Sequence, residues 1–209
     1  MGIENFETFV LAGILLNLTP GADTMYILGR SISQGKKAGI YSALGIASGA
    51  LVHCAFAALG LSIILAKSAF AFELVKYAGA AYLIYLGVRM LLSRAGGEFE
   101  LKKETREVSF RKIYVSGIFT NLLNPKVALF FLAFLPQFIN PAYAASPLPF
   151  VLLGMTFITT GTIWCLVLAF FAARLSQKIR ENYRVKVWLD RVAGGLFVGL
   201  GIQLALSKR

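Results

Sequence analysis

The sequence predicts an all-α membrane protein, with six transmembrane helices arranged as two inverted three-helix repeats in which helices 1 and 4 are broken. Three observations carry this expectation. Of 209 residues, 57% are hydrophobic and 15% charged, with a mean hydropathy of +0.71, too apolar for a surface that water must wet. Six apolar runs can be read, separated by short charged segments or, between the fourth and fifth, by a proline-rich break, and a helix needs ~20 such residues to cross a bilayer. Two of the runs are interrupted by related polar motifs, Asn17-Leu18-Thr19-Pro20-Gly21-Ala22-Asp23 and Asn121-Leu122-Leu123-Asn124-Pro125-Lys126.

Taken in order, the first span covers residues 6–29. The N-terminus does not read as a cleavable signal, since Glu4 and Glu7 stand where a basic region is expected; Met1 onward is expected to remain. The second span, 38–66, contains no Asp, Glu, Lys or Arg, and holds His53, the one histidine of the chain. The third, 74–93, ends near Arg89, whose long side chain can snorkel to the interface. Residues 94–112 are rich in cations and glutamates and form a solvated connector. The fourth span runs from 113 to 135; Pro136, Pro141, Pro147 and Pro149 then mark a break. The fifth covers 150–173, a basic connector 174–186, and the sixth span 187–206. The chain is thus one transmembrane domain, 1–209, made of a half-repeat 1–93, a cytoplasmic connector 94–112 and a half-repeat 113–209.

Sixteen of the 21 Lys and Arg residues fall on one side of this arrangement, in the connectors between spans 1 and 2, 3 and 4, and 5 and 6 with their adjoining helix ends. The positive-inside rule places that side in the cytoplasm and both termini outside it. The net charge of +11 therefore reflects topology, and no nucleic-acid partner is implied. Because each half has three spans, an odd number, the second lies upside down relative to the first, the arrangement in which transporters place a midplane site at paired broken helices. Gly45 and Gly49 in the second span, and Gly195 and Gly199 in the sixth, are expected to be packing faces.

Proline, glycine, amides and charge are unfavourable in hydrocarbon, which offers no water to unpaired groups. Thr19-Pro20 and Asn124-Pro125 each read as a helix N-cap followed by proline at the first helical position. A restarting helix presents free N–H groups and a positive dipole end suited to a carboxylate. At ~1.5 Å rise per residue, Pro20 lies about 15 Å deep and Pro125 about 18 Å deep, with Asp23 displaced toward the cytoplasm and Lys126 beyond the midplane. The candidate substrate-binding residues are Asn17, Thr19, Pro20, Gly21, Asp23, Asn121, Asn124, Pro125 and Lys126. Asp23 would receive an ammonium group while a helix N-terminus, aided by Asn124 or Lys126, holds a carboxylate; the bland alternative is kinked helices whose two charges pair with each other or with backbone. Asp23 and His53 are the proton-coupling candidates, the latter because imidazole titrates near neutrality, although a lone membrane histidine serves equally as a hydrogen-bonded packing residue.

No P-loop, metal-ligand cluster or nucleophilic triad is recognisable, so the chain is not expected to be an enzyme or to carry a cofactor, and an ion or substrate gradient would drive it. Two other readings stand beside a small-molecule transporter. A divalent-cation exporter is weakened by Lys126 and by the single membrane carboxylate. A thiol-disulfide oxidoreductase would have to bring Cys54 and Cys165 together, and both read more simply as small buried hydrophobes.

The first motif, followed by Gly29-Arg30-Ser31, Gln34-Gly35, Ala38-Gly39, Gly45-Ile46-Ala47 and Gly49 with His53, and the second motif, followed by Phe131-Leu132 and Leu135-Pro136-Gln137-Phe138, together resemble the LysE/RhtB family of amino-acid exporters over essentially the whole chain. The resemblance implies export of amino acids or close derivatives from the cytoplasm by exchange with protons, in a bacterial inner membrane, with the lipid bilayer and a small amino-acid substrate as partners and a homodimer as one option for assembly. Family members commonly have Pro-Gly-Pro-Asp; here Ala22 replaces the second proline. A basic substrate would want a second carboxylate deep in the membrane; besides Asp23 the spans hold only Glu7 and Asp190, each near a span end, so a neutral amino acid is favoured.

Overall fold

In the computed structural model, residues 2–61, 69–92, 108–181 and 183–206 are described. All of their regular structure is helical. Helix α1 is Phe6–Leu18 and α2 is Ala22–Phe56, continued by a π-helical turn, Ala57–Leu61. Helix α3 is Ala69–Leu91, α4 is Phe110–Leu122 and α5 is Pro125–Leu129. Helix α5 continues as a π-helical turn, Phe130–Phe134, and a 3-10 turn, Leu135–Phe138. Helix α6 is Pro147–Glu181 and α7 is Tyr183–Leu206.

Both expected breaks are present. Residues 19–21 separate α1 from α2, and residues 123–124 separate α4 from α5 with a bend of 50° between the paired segments. The helices preceding the breaks are each 13 residues long and end at Leu18 and Leu122. Helix α2 is itself two arms, because Gly35 has φ +79° and ψ 180°, a conformation open to glycine and strained for other residues. The chain turns there, in the expected connector, and the tight packing of Gly39 on the Ser31 hydroxyl holds the arms together.

Other boundaries differ from expectation. The segment read as a connector at 174–186 continues α6 as helix to Glu181, and α7 begins four residues before the expected sixth span; no glycine or proline intervenes to stop the helix. Of the connector at 94–112, residues 94–107 lie outside the described residues, as does the end of the expected second span, 62–66. By length and composition Ala22–Gly60 and Pro147–Ala172 can cross a membrane, and the bent pair Phe110–Leu122 with Pro125–Phe138 makes a third candidate; Phe6–Leu18 is a shorter apolar helix. Phe56, Leu59, Phe70 and Leu74 remain largely exposed, as an exterior solvated by lipid requires.

The second arm of α2, residues 36–56, is the centre of the packing, with α4 on one side and α6 on the other. Against α4 the contact is backbone to backbone: a Cβ built on Gly45 would fall on the Tyr114 carbonyl oxygen and lie 3.1 Å from Gly117 Cα. One turn later, a Cβ on Gly49 would lie 2.8 Å from Asn121 Cβ. Helices α3 and α7 pack on each other, with Gly87 against Gly194 and Gly201 against Ala80 and Ile84. Gly195 and Gly199, expected to form that face, instead leave open space where a Cβ would stand. Two apolar clusters fill the interior. One gathers Phe9, Phe130, Phe131, Phe134 and Phe157 with Leu16 and Cys54; the other holds Ile27, Leu28, Ile46, Leu168 and Cys165.

Gly45→Val should therefore lower the unfolding temperature in detergent by several degrees, since forcing methyl groups into a closed contact costs about 1–3 kcal/mol. Gly195→Ala should leave that temperature unchanged or slightly raised, alanine being favoured over glycine in a helix by about 1 kcal/mol.

Candidate functional site

Each break has a proline, Pro20 within the first and Pro125 directly after the second, with no N–H to give to the carbonyl four residues earlier. Pro20 thus orphans Leu16 O, and Pro125 orphans Asn121 O in the same way. Both carbonyls find side-chain partners. Lys126 Nζ donates to Leu16 O at 3.0 Å and also to Thr19 O at 3.0 Å, the latter at the C-cap of α1. This puts an ammonium on the negative end of a helix dipole. His53 Nε2 lies 3.2 Å from Asn121 O, which also accepts from Asn124 N, and its ring stacks on Phe131 with centroids 5.9 Å apart. The Nε2–H tautomer fits this contact, since a carbonyl only accepts.

The restarts differ in chemistry. At the second, Asn124 is the N-cap: its side chain accepts from Lys126 N at 3.1 Å, and Pro125 occupies the first helical position, as the sequence suggests. At the first, Thr19 does not cap α2. It closes α1, donating its hydroxyl to Leu15 O at 2.8 Å, and Gly21 is the N-cap of α2. Ala22 is consequently the first helical residue, a position where proline is favoured because its N–H would be unpaired in any case. Replacing proline there leaves the restart intact and adds one backbone donor.

Asp23 lies in the first turn of α2, where the helix dipole favours a carboxylate. Its Oδ2 accepts from Asn121 Nδ2 at 2.9 Å, so the two breaks are joined a second time. Asp23 Oδ1 is buried with no hydrogen-bond partner, as are Asn121 Oδ1 and Asn124 Nδ2. Asn17, the remaining candidate on α1, donates to Thr160 Oγ1 at 3.3 Å, in a space that a Cβ on Gly161 would fill at 3.1 Å from Asn17 Oδ1.

These groups surround one cavity of about 50 Å³, lined by Asn17, Gly21, Asp23, Asn121 and Lys126, with Thr162 among the residues of α6 on its wall. It also touches Leu16 of the first apolar cluster and Ile46 and Cys165 of the second, so it is a polar pocket between two apolar blocks. That volume holds a few waters; an amino acid would need the walls to part. Of the nine candidate binding residues, Asn17, Gly21, Asp23, Asn121 and Lys126 line the cavity. Thr19, Pro20, Asn124 and Pro125 shape the breaks around it. His53 stands one residue behind, touching Asn121. Cys54 and Cys165 are both free and belong to different apolar clusters, which gives no support to a redox pair. The α6 wall was not foreseen from sequence, although Thr156, Thr159, Thr160, Gly161 and Thr162 within an apolar run are the signal that could have located it.

The chain matches the LysE type translocator family over residues 14–208. It is 32% identical over 208 residues to the homoserine/homoserine lactone efflux protein of Salmonella typhimurium, covering 100% of this chain and 99% of that protein. It is also 32% identical over 213 residues to an uncharacterized membrane protein of Pseudomonas aeruginosa, covering 99% and 97%. With the uncharacterized membrane protein YrhP of Bacillus subtilis it shares 30% identity over 212 residues, covering 98% and 100%. No solved structure matches.

Lys126→Met should lower the stability of the purified protein by about 2 kcal/mol or more, the range of charge-assisted hydrogen bonds. Asn124→Ala should cost about 1 kcal/mol, the value of one N-cap. Thermal unfolding in one detergent compares the two, and equal stability of Lys126→Met and wild type would show that Leu16 O and Thr19 O do not need the ammonium.

Proposed function

Because the chain belongs to the LysE type translocator family, whose members are transporters and not enzymes, we propose that it exports a neutral amino acid or a close derivative from the cytoplasm across the bacterial inner membrane. The observation that carries this reading is Asp23: one carboxylate oxygen held by Asn121, the other buried without a partner, in a cavity between two broken helices. A buried carboxylate oxygen in that setting calls for a hydrogen-bond donor, and a substrate ammonium would supply one. The homoserine and homoserine lactone named for the Salmonella relative both carry such a group and are the first compounds to try.

The architecture behind the reading is six spans in two inverted halves, with both termini outside the cytoplasm. Its support is the pair of 13-residue helices that end in proline breaks, and the correspondence of Leu16 with Asn121 as the carbonyls that those prolines orphan. In alternating access the two halves rock about the cavity, and Lys126 and Asn121 are the links that would strain as they do. Protons are the proposed counter-ion. Asp23 is the group that would exchange a substrate ammonium for a proton. His53 acts through Asn121, whose carbonyl it contacts and whose side chain holds Asp23.

Cells loaded with homoserine-containing dipeptide should export homoserine when the chain is expressed. Asp23→Asn should reduce the rate about 10- to 100-fold, as expected for removing one charge-assisted contact; a wild-type rate would overturn the role of the carboxylate. In proteoliposomes an imposed proton gradient should accelerate the wild type and have no effect on His53→Gln. Equal acceleration of both would leave His53 a packing residue.

A further inference from the structure

Buried polar atoms are almost always hydrogen-bonded, and each exception needs a reason. Around the cavity the exceptions on α1, α2, α4 and α5 are Asp23 Oδ1, Asn121 Oδ1 and Asn124 Nδ2, all in the two motifs. One exception lies on α6: Trp164 lines the same cavity, and its indole Nε1 is buried with no partner. An indole N–H only donates. Beside a carboxylate and an amide oxygen that only accept, it is therefore the complementary group, and neither an ammonium nor an apolar side chain can satisfy it. Lys126, the cation on the same wall, already donates to the carbonyls of Leu16 and Thr19.

We propose that Trp164 is a specificity-determining residue whose indole N–H donates to an uncharged oxygen, a hydroxyl or a carbonyl, on the side chain of the substrate. The assignment rests on the export reading and adds the residue that distinguishes a side-chain oxygen from an apolar group. Asp23 Oδ1 and Asn121 Oδ1 receive the ammonium, Asn124 Nδ2, the other unpaired donor, is left for the carboxylate, and Trp164 reads the side-chain oxygen. A substrate that fills the position beside Trp164 without offering a side-chain acceptor leaves that buried donor unpaired. Such sites discriminate against the analogue that lacks the polar group more sharply than apolar pockets discriminate by size.

Homoserine and norvaline, which differ by a hydroxyl against a methyl, are the probes. The wild type should export homoserine about tenfold faster than norvaline. Trp164→Phe, which keeps an aromatic ring and deletes the N–H, should bring that ratio near unity while retaining norvaline export, which also reports that the variant is folded. A second measurement does not depend on that variant. The chain has two tryptophans, and Trp188 is exposed, so Trp188→Phe leaves Trp164 as the sole indole emitter; homoserine should shift its emission and norvaline should not. A ratio unchanged in Trp164→Phe, or identical emission with the two ligands, overturns the assignment while leaving the export reading standing. Wild-type export of neither compound overturns both.

Discussion

A helix cannot be broken inside a membrane without satisfying the groups that the break exposes, and here one ammonium meets most of that requirement. Lys126 Nζ takes Leu16 O, which Pro20 leaves unpaired, and Thr19 O at the end of α1. Its own backbone N–H is meanwhile the donor to the Asn124 cap that starts α5. A single residue therefore closes one break and opens the other. The cation is unfavourable in hydrocarbon by itself, yet placed on a helix C-terminus with two carbonyls it becomes the tie that lets two interrupted helices share one cavity.

The glycine contacts act on this site at one remove. Gly45 and Gly49 bring the second arm of α2 onto the backbone of α4, and the closest neighbour of Gly49 is Asn121, whose amide holds Asp23. Close packing and carboxylate placement are thus one feature: a side chain at Gly49 would collide with Asn121 and with the Ile118 carbonyl oxygen, each 2.8 Å from its Cβ. The aromatic cluster of Phe9, Phe130, Phe131 and Phe157 and the aliphatic cluster around Leu28 and Leu168 bound the polar cavity from either side. The π-helical turn at Phe130–Phe134 lies within the first cluster and is less regular than the α-helix it continues.

Much of this was legible in the sequence. The Asn-Pro cap at Asn124 and Pro125 is a local rule, independent of the rest of the fold, and the structure follows it. Thr19-Pro20 looked the same and behaves differently, because the next residue is Gly21: the helix restarts after the glycine, and the threonine hydroxyl turns back to close α1. Long-range partners were not legible. That Lys126 reaches 110 residues back to Leu16, or that His53 takes up the carbonyl orphaned by Pro125, follows from how helices are stacked and not from spacing. Gly195 and Gly199 show the same limit: α7 does carry a small-residue face, but Gly194 and Gly201 make its contacts, at another rotation and another spacing. The α6 wall with Trp164 was missed because an indole in an apolar run reads as lipid-facing or core until its neighbours are known.

The central claim is that the two breaks enclose one binding site organised by Asp23. The most direct measurement is a structure of the chain in lipid nanodiscs saturated with homoserine. The account predicts ligand density between residues 19–23 and 121–126, with the ammonium within hydrogen-bonding distance of Asp23 and the Lys126 contacts to α1 kept or exchanged for the ligand. Ligand bound elsewhere, with this cavity unchanged and Asp23 Oδ1 still unpaired, would contradict it.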